Sequence, residues 1–193
     1  MSRPAVFLDR DGTINVEKEY LHRIEDWEWI PGAIEAIRLI NRMGYLAIVV
    51  TNQAGIARGY YDEAAVHSLH DQVDALLASE GARIDAYYYC PHHPEFGDVR
   101  VCECRKPGTG MLMAAQRDFD IDLENSYLIG DKALDIESAQ KMDVRPILIM
   151  TGYGKEQDRD VSAEVIRRQD ILAAVEYIEK QSENAKRIHG CSQ

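Results

Sequence analysis

The sequence has no hydrophobic run long enough to cross a bilayer, and its basic residues are outnumbered by acidic ones. Apolar runs such as residues 46–50 and 147–150 are far shorter than the roughly 20 residues of a membrane-spanning helix. The 193 residues include 22 Lys and Arg against 33 Asp and Glu, which gives a formal net charge of −11. Because the phosphates of nucleic acids are bound by clustered Lys and Arg, this balance argues against a nucleic-acid partner.

Repeats and low-complexity segments are also missing, and the length suits one domain with a sizeable core. A strand is predicted within five residues of the N-terminus, so we expect no signal peptide. A local cation can outweigh a distant acidic surface, so a small anionic substrate remains compatible with the net charge. We therefore expect a cytoplasmic protein without a membrane partner. We also expect a monomer, because nothing in the sequence suggests a coiled coil or a swapped strand.

Short β-branched or aromatic runs alternate with longer amphipathic stretches, which is typical of βαβ units and a parallel sheet. The predicted strands are residues 5–8, 46–50, 84–89, 126–129, 146–150 and 164–167. The predicted helices are residues 32–43, 62–79, 110–119, 134–142 and 170–181. We expect a single α/β domain over residues 1–181 and a disordered polar tail over residues 182–193.

Two connections are long for this pattern, namely residues 14–31 and the loop of residues 90–106. Neither is long enough to form a separate cap domain, so we expect the carboxyl edge of the sheet to be open. Long connections in compact domains are usually functional.

Polar residues follow the predicted strands at the points where the strands end. Asp9 and Asp11 follow the first strand in a glycine turn, Thr51 ends the second, and Asp131 follows the fourth. Lys106 ends the long loop after the third strand. Since the carboxyl ends of parallel strands lie side by side, we expect these groups to surround one pocket.

This set of groups suits hydrolysis of a phosphate monoester, in which catalysis is mainly positioning and stabilisation of negative charge. An attacking carboxylate is repelled by an anionic phosphate, so a divalent cation is needed between them, and Mg²⁺ prefers oxygen ligands. The predicted Mg²⁺ ligands are side-chain oxygens of Asp9 and Asp131 and the backbone carbonyl of Asp11. Asp11 can also protonate the leaving group and later accept a proton from water. Thr51 and Lys106 would hold the remaining phosphoryl oxygens.

These segments resemble the four motifs of the haloacid dehalogenase (HAD) superfamily of phosphotransferases. The motif residues are Asp9, Asp11, Gly12 and Thr13 for the D-x-D-G-T pattern, then Thr51, Lys106, and Gly130 and Asp131 with Asp135. The resemblance covers residues 5–150 and implies a Rossmann-like parallel sheet with helices on both faces and no separate cap domain. It also implies that Asp9 forms an aspartyl-phosphate and that Asp11 is the general acid/base. An acid at position 11, where HAD-type ATPases carry Thr, implies hydrolysis rather than a long-lived phosphoenzyme.

Each motif residue taken alone has an ordinary structural interpretation. An Asp after a strand is commonly a turn or N-cap residue, and Asp135 suits the first turn of a helix. Lys106 alone would be read as a solvated lysine. It is the joint order of the four motifs that favours catalysis.

Three of the four cysteines lie in the loop of residues 90–106, together with two histidines. In a cytosolic chain such a cluster is more typical of a metal site than of disulfides. The expected ligands of a tetrahedral Zn²⁺ are Cys90, His92, Cys102 and Cys104. His92 is preferred over His93 because alternate residues of an extended chain point the same way.

Four protein ligands indicate a structural zinc site, which would stiffen the loop just before Arg105 and Lys106. Reduced cysteines without a metal are the alternative interpretation. Cys191 lies in the expected tail and is predicted to be an idle thiol.

Within the superfamily, the sequence resembles two groups of phosphatases that have a zinc loop and no cap. One removes the 7-phosphate of D-glycero-D-manno-heptose 1,7-bisphosphate, in precursor synthesis for ADP- or GDP-heptose and the lipopolysaccharide core, and the other acts on histidinol phosphate. Residues 7–16, 51–59, 88–94 and 102–107 favour the heptose group, as does the nine-residue spacing between His92 and Cys102.

The resemblance implies that the substrate site contains Glu17, Lys18, Glu19, Tyr20, Thr51, Asn52, Gln53, Ala54, Arg105, Lys106 and Lys132. Arg105 suits a second phosphate because a guanidinium donates bidentately to oxyanions. Residues 108–110 are richer in glycine than the pattern leads us to expect, which puts the local fit in doubt.

Other interpretations remain open besides histidinol-phosphate phosphatase. A DNA 3′-phosphatase is disfavoured by the acidic charge. A zinc-stabilised binding module on a degenerate HAD scaffold is disfavoured by the intact motif residues.

Overall fold

The structure is a computed structural model that describes the chain over residues 2–190, with side chains to residue 185. Within this range, six strands form one parallel sheet in the order β3-β2-β1-β4-β5-β6. The strands are β1 (Ala5–Leu8), β2 (Leu46–Asn52), β3 (Ala86–Cys90), β4 (Tyr127–Gly130), β5 (Arg145–Ile149) and β6 (Ile166–Arg168). The helices are α1 (Ala33–Met43), α2 (Ala54–Ala57), α3 (Glu63–Ser79), α4 (Gly110–Phe119), α5 (Ala133–Gln140), α6 (Gly154–Gln157) and α7 (Ile171–Gly190).

The central position of β1 decides where the polar strand ends meet. Leu8 is in register with Val49 of β2 on one side and with Ile129 of β4 on the other. The strand order reverses between β1 and β4, and ligands of open α/β sheets bind at this point outside the carboxyl ends. Residues that follow β1, β2 and β4 are therefore brought together.

The sheet is covered by helices on both faces, because its strands are apolar on both sides. Val6 and Leu8 face a core cluster with residues of α1, α3 and α7, whereas Ala5 and Phe7 face a second cluster with residues of α4 and α5. Burial on both faces explains why these strands read as continuous hydrophobic runs rather than alternating ones. The predicted α/β fold, with a Rossmann-like sheet, is confirmed.

The predicted strands and main helices are all present, with ends displaced by at most a few residues. The exception is the last helix, which was expected to end at residue 181 but continues to Gly190. The tail expected from residue 182 is thus helical as far as the structure describes it, because no Gly or Pro interrupts the helix-favouring residues 182–189. The prediction about Cys191 lies outside the described residues.

The two long connections carry only small elements. Residues 14–31 contain a 3₁₀ turn at Ile24–Asp26 and a bridge between Asn15 and Trp29. The loop of residues 90–106 contains a bridge between His93 and Phe96. Within residues 2–190 there is no separate cap domain, as predicted, and no helix long and apolar enough to cross a membrane.

Candidate active site

Lys106 and two carboxylates form a buried ionic group at the carboxyl edge of the sheet. The Lys106 Nζ lies 2.7 Å from Asp9 Oδ1 and 2.6 Å from Asp135 Oδ1. It also donates to the carbonyl oxygen of Val50, 2.8 Å away. All three charged side chains are almost completely buried. The lysine, 97 residues from Asp9 in the sequence, is therefore held directly against it.

The charges of this group keep Asp9 ionised. Burial by itself would raise the pKa of Asp9, but Lys106 and Lys132 outweigh it and lower that pKa below its usual value. Burial likewise opposes the charge of Lys106, whereas Asp135 and Asp9 raise its pKa. Asp9 is thus an anionic carboxylate at neutral pH, as a nucleophile requires.

Asp131 is the least compensated carboxylate of the site. Its Oδ1 is buried without a hydrogen-bond partner, while its Oδ2 accepts from the backbone N–H of Tyr153 at 2.8 Å. Burial and, to a smaller extent, repulsion from Asp9 and Asp135 raise the pKa of Asp131 to about 8, although Lys132 opposes the increase. The Nζ of Lys132 lies 3.9 Å from this Oδ1, beyond hydrogen-bond distance. A buried carboxylate oxygen that accepts no hydrogen bond and lies beside other carboxylates suits a cation site.

Two glycines let the backbone pass close to Asp131. A Cβ at Gly12 would lie 2.2 Å from Asp131 Oδ2, and one at Gly152 would lie 2.1 Å from the same atom. Both glycines have positive φ angles, +88° and +51°. Only glycine combines this backbone conformation with this close approach.

The carboxylates of Asp9, Asp131 and Asp135 each offer an oxygen within 4.8 Å of the others, so this cluster has the geometry to hold a metal ion. Oxygen donors of this kind suit Mg²⁺. Asp135 is already engaged, because it contacts Lys106 and accepts from the backbone N–H of Lys132 at 3.1 Å. Both oxygens of Asp135 are thus occupied, whereas Asp9 contacts Lys106 through Oδ1 and Asp131 Oδ1 accepts no hydrogen bond, so the two predicted side-chain ligands are the freer donors.

The side chain of Asp11 lies outside this carboxylate cluster and is held by a network of its own. Its two oxygens accept from Arg10 Nη2 at 3.0 and 2.9 Å. They also accept from Asn15 Nδ2 at 2.9 Å and from Gln53 Nε2 at 3.1 Å. Arg10 is fully buried, so the carboxylate is fixed from behind while its exposed side faces the cavity.

Gln53 connects Asp11 to Thr51. Its Nε2 donates to Thr51 Oγ1 at 2.9 Å as well as to Asp11, and its Oε1 accepts from the hydroxyl of Tyr61 at 2.7 Å. The predicted acid/base and the predicted phosphoryl-binding hydroxyl thus share one amide.

A cavity of about 430 Å³ opens in front of these groups. It is lined by Asp9, Asp11, Glu17, Glu19, Tyr20, Thr51, Asn52, Gln53, Ala54, Tyr61, Arg105, Lys106, Lys132, Leu134 and Tyr153. Lys18 is the one predicted substrate residue that does not line it. Its Nζ pairs with Glu28 at 2.9 Å, because it lies between Glu17 and Glu19 and points to the other side of the chain.

Three lining residues were missed by sequence reasoning. Leu134 and Tyr153 follow the ends of β4 and β5, so the strand-end rule that found Asp131 was a usable signal for both. Tyr61 lies beyond α2 and reaches the cavity through its hydrogen bond to Gln53. No local pattern in the sequence predicts this contact.

The cysteine loop brings its four predicted metal ligands together. One donor atom from each of Cys90, His92, Cys102 and Cys104 lies within 4.8 Å of the others. The Cys90 and Cys104 sulfurs are 3.0 Å apart, and Cys104 Sγ is 3.3 Å from His92 Nδ1. His93 is not in the cluster, and its Nδ1 accepts from the backbone N–H of Glu95 at 3.1 Å.

This cluster is tied to the cavity through its neighbours in sequence. Arg105 Nη1 donates to the His92 carbonyl at 3.1 Å, and Asn52 accepts from the backbone N–H of Lys106 at 3.0 Å. The loop thus places Arg105 and Lys106 in the cavity wall.

Comparison with known proteins bears on what this geometry is for. Residues 103–176 match the family model described as HAD-hydrolase-like. A Photorhabdus laumondii protein named D-glycero-β-D-manno-heptose-1,7-bisphosphate 7-phosphatase is 42% identical over 183 residues, which are 92% of this chain and 97% of the relative. An Escherichia coli K12 protein of the same name is 47% identical over 156 residues, 78% of this chain and 81% of the relative.

The chain belongs to this family of HAD-type phosphatases. A crystal structure of D,D-heptose 1,7-bisphosphate phosphatase from B. bronchiseptica, in complex with magnesium and phosphate, superimposes with a TM-score of 0.84. It is 30% identical and covers 92% of this chain and 99% of its own. The HAD resemblance drawn from the motifs is thereby confirmed, as is the prediction that this protein is a hydrolase of phosphate monoesters.

Proposed function

We propose that this phosphatase hydrolyses the 7-phosphate of D-glycero-D-manno-heptose 1,7-bisphosphate through an aspartyl-phosphate on Asp9. The observation that carries the proposal is the position of Asp9 at the base of a cavity with two further cations. Lys106 holds Asp9 ionised there, beside an Asp131 oxygen that accepts no hydrogen bond. Arg105 and Lys132 line that cavity and suit a substrate with a second phosphate. A volume of about 430 Å³ lies within the usual range of small-molecule sites.

In the first step, an oxygen of Asp9 attacks phosphorus and the bond from phosphorus to the sugar oxygen breaks. Asp11 gives its proton to that leaving oxygen, so that a neutral alcohol departs. Lys106 and Thr51 donate to the phosphoryl oxygens, whose negative charge is spread in the transition state. In the second step, Asp11 takes a proton from water as the water attacks phosphorus, which releases phosphate and restores Asp9.

We propose that Asp9, Asp131 and the backbone carbonyl of Asp11 hold Mg²⁺. When bound, this ion supplies positive charge between the nucleophile and the phosphate oxygens. The Oδ1 of Asp131, which accepts no hydrogen bond, and the oxygen-only donor set support this assignment.

We further propose that Cys90, His92, Cys102 and Cys104 hold a structural Zn²⁺. Three sulfurs and one imidazole nitrogen are the donor set of closed tetrahedral zinc sites. Arg105 and Lys106 directly follow Cys104, so a zinc ion at this site would hold both residues in the cavity wall.

The proposal is tested by phosphate release from the α and β anomers of heptose 1,7-bisphosphate with Mg²⁺, using wild-type protein, Asp9→Asn and the surface control Asp71→Asn. Loss of a nucleophile costs several orders of magnitude, so we expect kcat of Asp9→Asn to fall by at least about 10³-fold. The control should retain wild-type activity. Wild-type turnover by Asp9→Asn contradicts the mechanism, and a wild-type protein that leaves both anomers intact contradicts the substrate.

One observation favours histidinol phosphate as a second candidate. Glu17 and Glu19 line the cavity and would attract the ammonium group of that substrate. Glu17 is already paired with Lys132 at 3.3 Å, however, which leaves Glu19 for this role. A higher kcat/KM on histidinol phosphate than on either heptose bisphosphate, measured at equal Mg²⁺, would select this alternative.

A further inference from the structure

Three separate segments meet around Arg58, next to the cavity-lining residue Tyr20. The Arg58 Cζ lies 3.9 Å from the ring centroid of Phe96, in the cysteine loop, and 5.8 Å from that of Tyr20, in the first long connection. Arg58 itself ends the short helix α2. The guanidinium is thus placed between two aromatic rings that belong to different loops, the usual arrangement of a cation–π contact.

The contacts of Arg58 are unusual for a charged side chain. Among the described side chains, no carboxylate lies within ion-pair distance of it, and its Nε is buried without a hydrogen-bond partner. Its Nη2 is 3.5 Å from His93 Nε2. Because Nδ1 of His93 accepts from Glu95, a neutral His93 carries its proton on Nε2 and offers Arg58 no acceptor. The aromatic faces are therefore the main partners of this cation.

Arg58 contacts residues 17–22 through Tyr20, and the backbone of this segment has a conformation that non-glycine residues rarely adopt. Glu19 and Tyr20 have positive φ angles of 43° and 55°, although neither is glycine. Such residues persist only where the surroundings hold them. Tyr20 is held by Arg58 and by the Tyr60 ring, which is nearly perpendicular to it with the ring centroids 4.7 Å apart. Both Glu19 and Tyr20 line the cavity, so this contact acts on the position of a cavity wall, together with the stacking of His22 on Tyr61.

The tip of the cysteine loop approaches α2 equally closely. A Cβ added at Gly97 would lie 3.2 Å from the Cβ of Ala57, and Gly97 has a φ of +75°. Phe96 and Gly97 therefore pack directly against the end of α2 that carries Arg58.

We propose that Arg58 is a positioning residue that joins the 17–22 segment to the tip of the cysteine loop, and so sets the affinity of the cavity for substrates that extend beyond the reacting phosphate. Arg58 does not line the cavity, and it acts through Tyr20 and Phe96. This proposal rests on the proposed function in one respect, namely that the substrate carries a sugar and a second phosphate.

The kinetic test compares heptose 1,7-bisphosphate with p-nitrophenyl phosphate, which reaches only the reacting end of the cavity. For Arg58→Ala we expect KM for the bisphosphate to rise about tenfold, the equivalent of about 1.4 kcal/mol, with kcat within about twofold of wild type. The values of kcat and KM for p-nitrophenyl phosphate should not change. Arg58→Lys keeps the charge, so its KM for the bisphosphate should lie between those of wild type and Arg58→Ala. Phe96→Leu should raise this KM about as much as Arg58→Ala does. Arg159→Ala, at a side chain that is 84% exposed, is the control.

Equal losses on both substrates, or no loss on either, would overturn the proposal, because a general structural defect or no role at all would then explain the data. Phe96→Leu and Arg58→Lys keep the test valid if Arg58→Ala does not fold.

A second measurement needs no substrate. Hydrogen–deuterium exchange of Arg58→Ala should be faster than wild type in residues 17–22 and 93–97 and unchanged in the sheet. Unchanged exchange in both segments refutes the role of Arg58. A wild-type enzyme that does not hydrolyse heptose bisphosphate would instead refute the proposed function, so the two failures are distinguishable.

Discussion

Lys106 shows how a buried charge in this site is compensated by its neighbours. It is buried between Asp9 and Asp135, and taking three charges out of water is costly unless each one is compensated. The compensation is close contact, since the lysine touches both carboxylates and a backbone carbonyl. Asp135, whose role the sequence left open, is therefore explained as the second counter-ion of the lysine.

His70 gives a stability prediction at the same scale. Burial, together with the charges of Arg10 and His67, lowers the pKa of His70 to about 3. The usual value is about 6.5, so below that pH the unfolded chain binds a proton that folded His70 does not. The contribution of His70 to stability is complete above pH 6.5 and is lost as the pH falls, by about 2 kcal/mol at pH 5.

We therefore expect His70→Gln to show a weaker loss of unfolding free energy than wild type between pH 7.5 and pH 5, measured by urea denaturation. Ala75→Gln, at an exposed position of the same helix, provides the control, because it adds no titrating group and should keep the wild-type dependence. Identical slopes for wild type and His70→Gln would contradict the argument.

At the scale of elements, the cysteine loop and the start of α4 form one unit. A Cβ at Gly108 would lie 2.3 Å from the carbonyl oxygen of Glu103, and one at Gly110 would lie 3.0 Å from the backbone of Cys104. The glycine-rich segment of residues 108–110, which departs from the expected pattern, is thus explained by close backbone packing against the loop. The loop, Lys106 and α4 are expected to move together.

The proposed zinc site predicts a difference between two adjacent histidines. Only His92 joins the cysteine cluster, so His92→Gln should bind zinc at least tenfold more weakly than wild type and unfold at a lower temperature. His93→Gln should keep one zinc per chain. Zinc content by mass spectrometry and competition with a chelating dye measure both, and zinc loss from His93→Gln alone would reverse the assignment.

At the scale of the whole molecule, stability and chemistry are concentrated in different places. The helices α1 and α7 pack against each other over one face of the sheet, and α7 contributes fully buried residues such as Val175 and Ile178. The active site lies instead at the carboxyl edge, where loops carry the polar groups. Protein cations do not by themselves reverse the net charge of −11 at the cavity, because Lys106, Lys132 and Arg105 line it beside the four carboxylates of Asp9, Asp11, Glu17 and Glu19.

This separation predicts the effect of truncating a core residue. Ile178→Ala should lower the unfolding free energy by about 2–4 kcal/mol, because it leaves a cavity in a packed core. The kcat of the folded protein should not change. Chemical denaturation and steady-state kinetics check both, with the exposed neighbour Glu176→Ala as the control. A large loss of kcat at full folding would show that the core and the site are coupled.

The sequence by itself determined the α/β class, the strands and the identity of the groups at their ends. Hydrophobic periodicity is a local property of the sequence. Polar residues directly after buried parallel strands, such as Asp9 and Asp131, must lie at the carboxyl edge of the sheet. The ligand types of Cys90 and Cys104 are equally local. These features needed no knowledge of which helix packs on which strand.

Only the tertiary structure decided which residues complete the cavity. Tyr61 reaches it through Gln53, Lys18 points away from it, and Arg58 is placed between two loops. That residues 182–190 are helical was likewise known only from the tertiary structure. Contacts between distant loops depend on how the helices pack on the sheet, so a local sequence pattern does not predict them. Helix ends depend on small differences in helix propensity, so a local pattern does not fix them either.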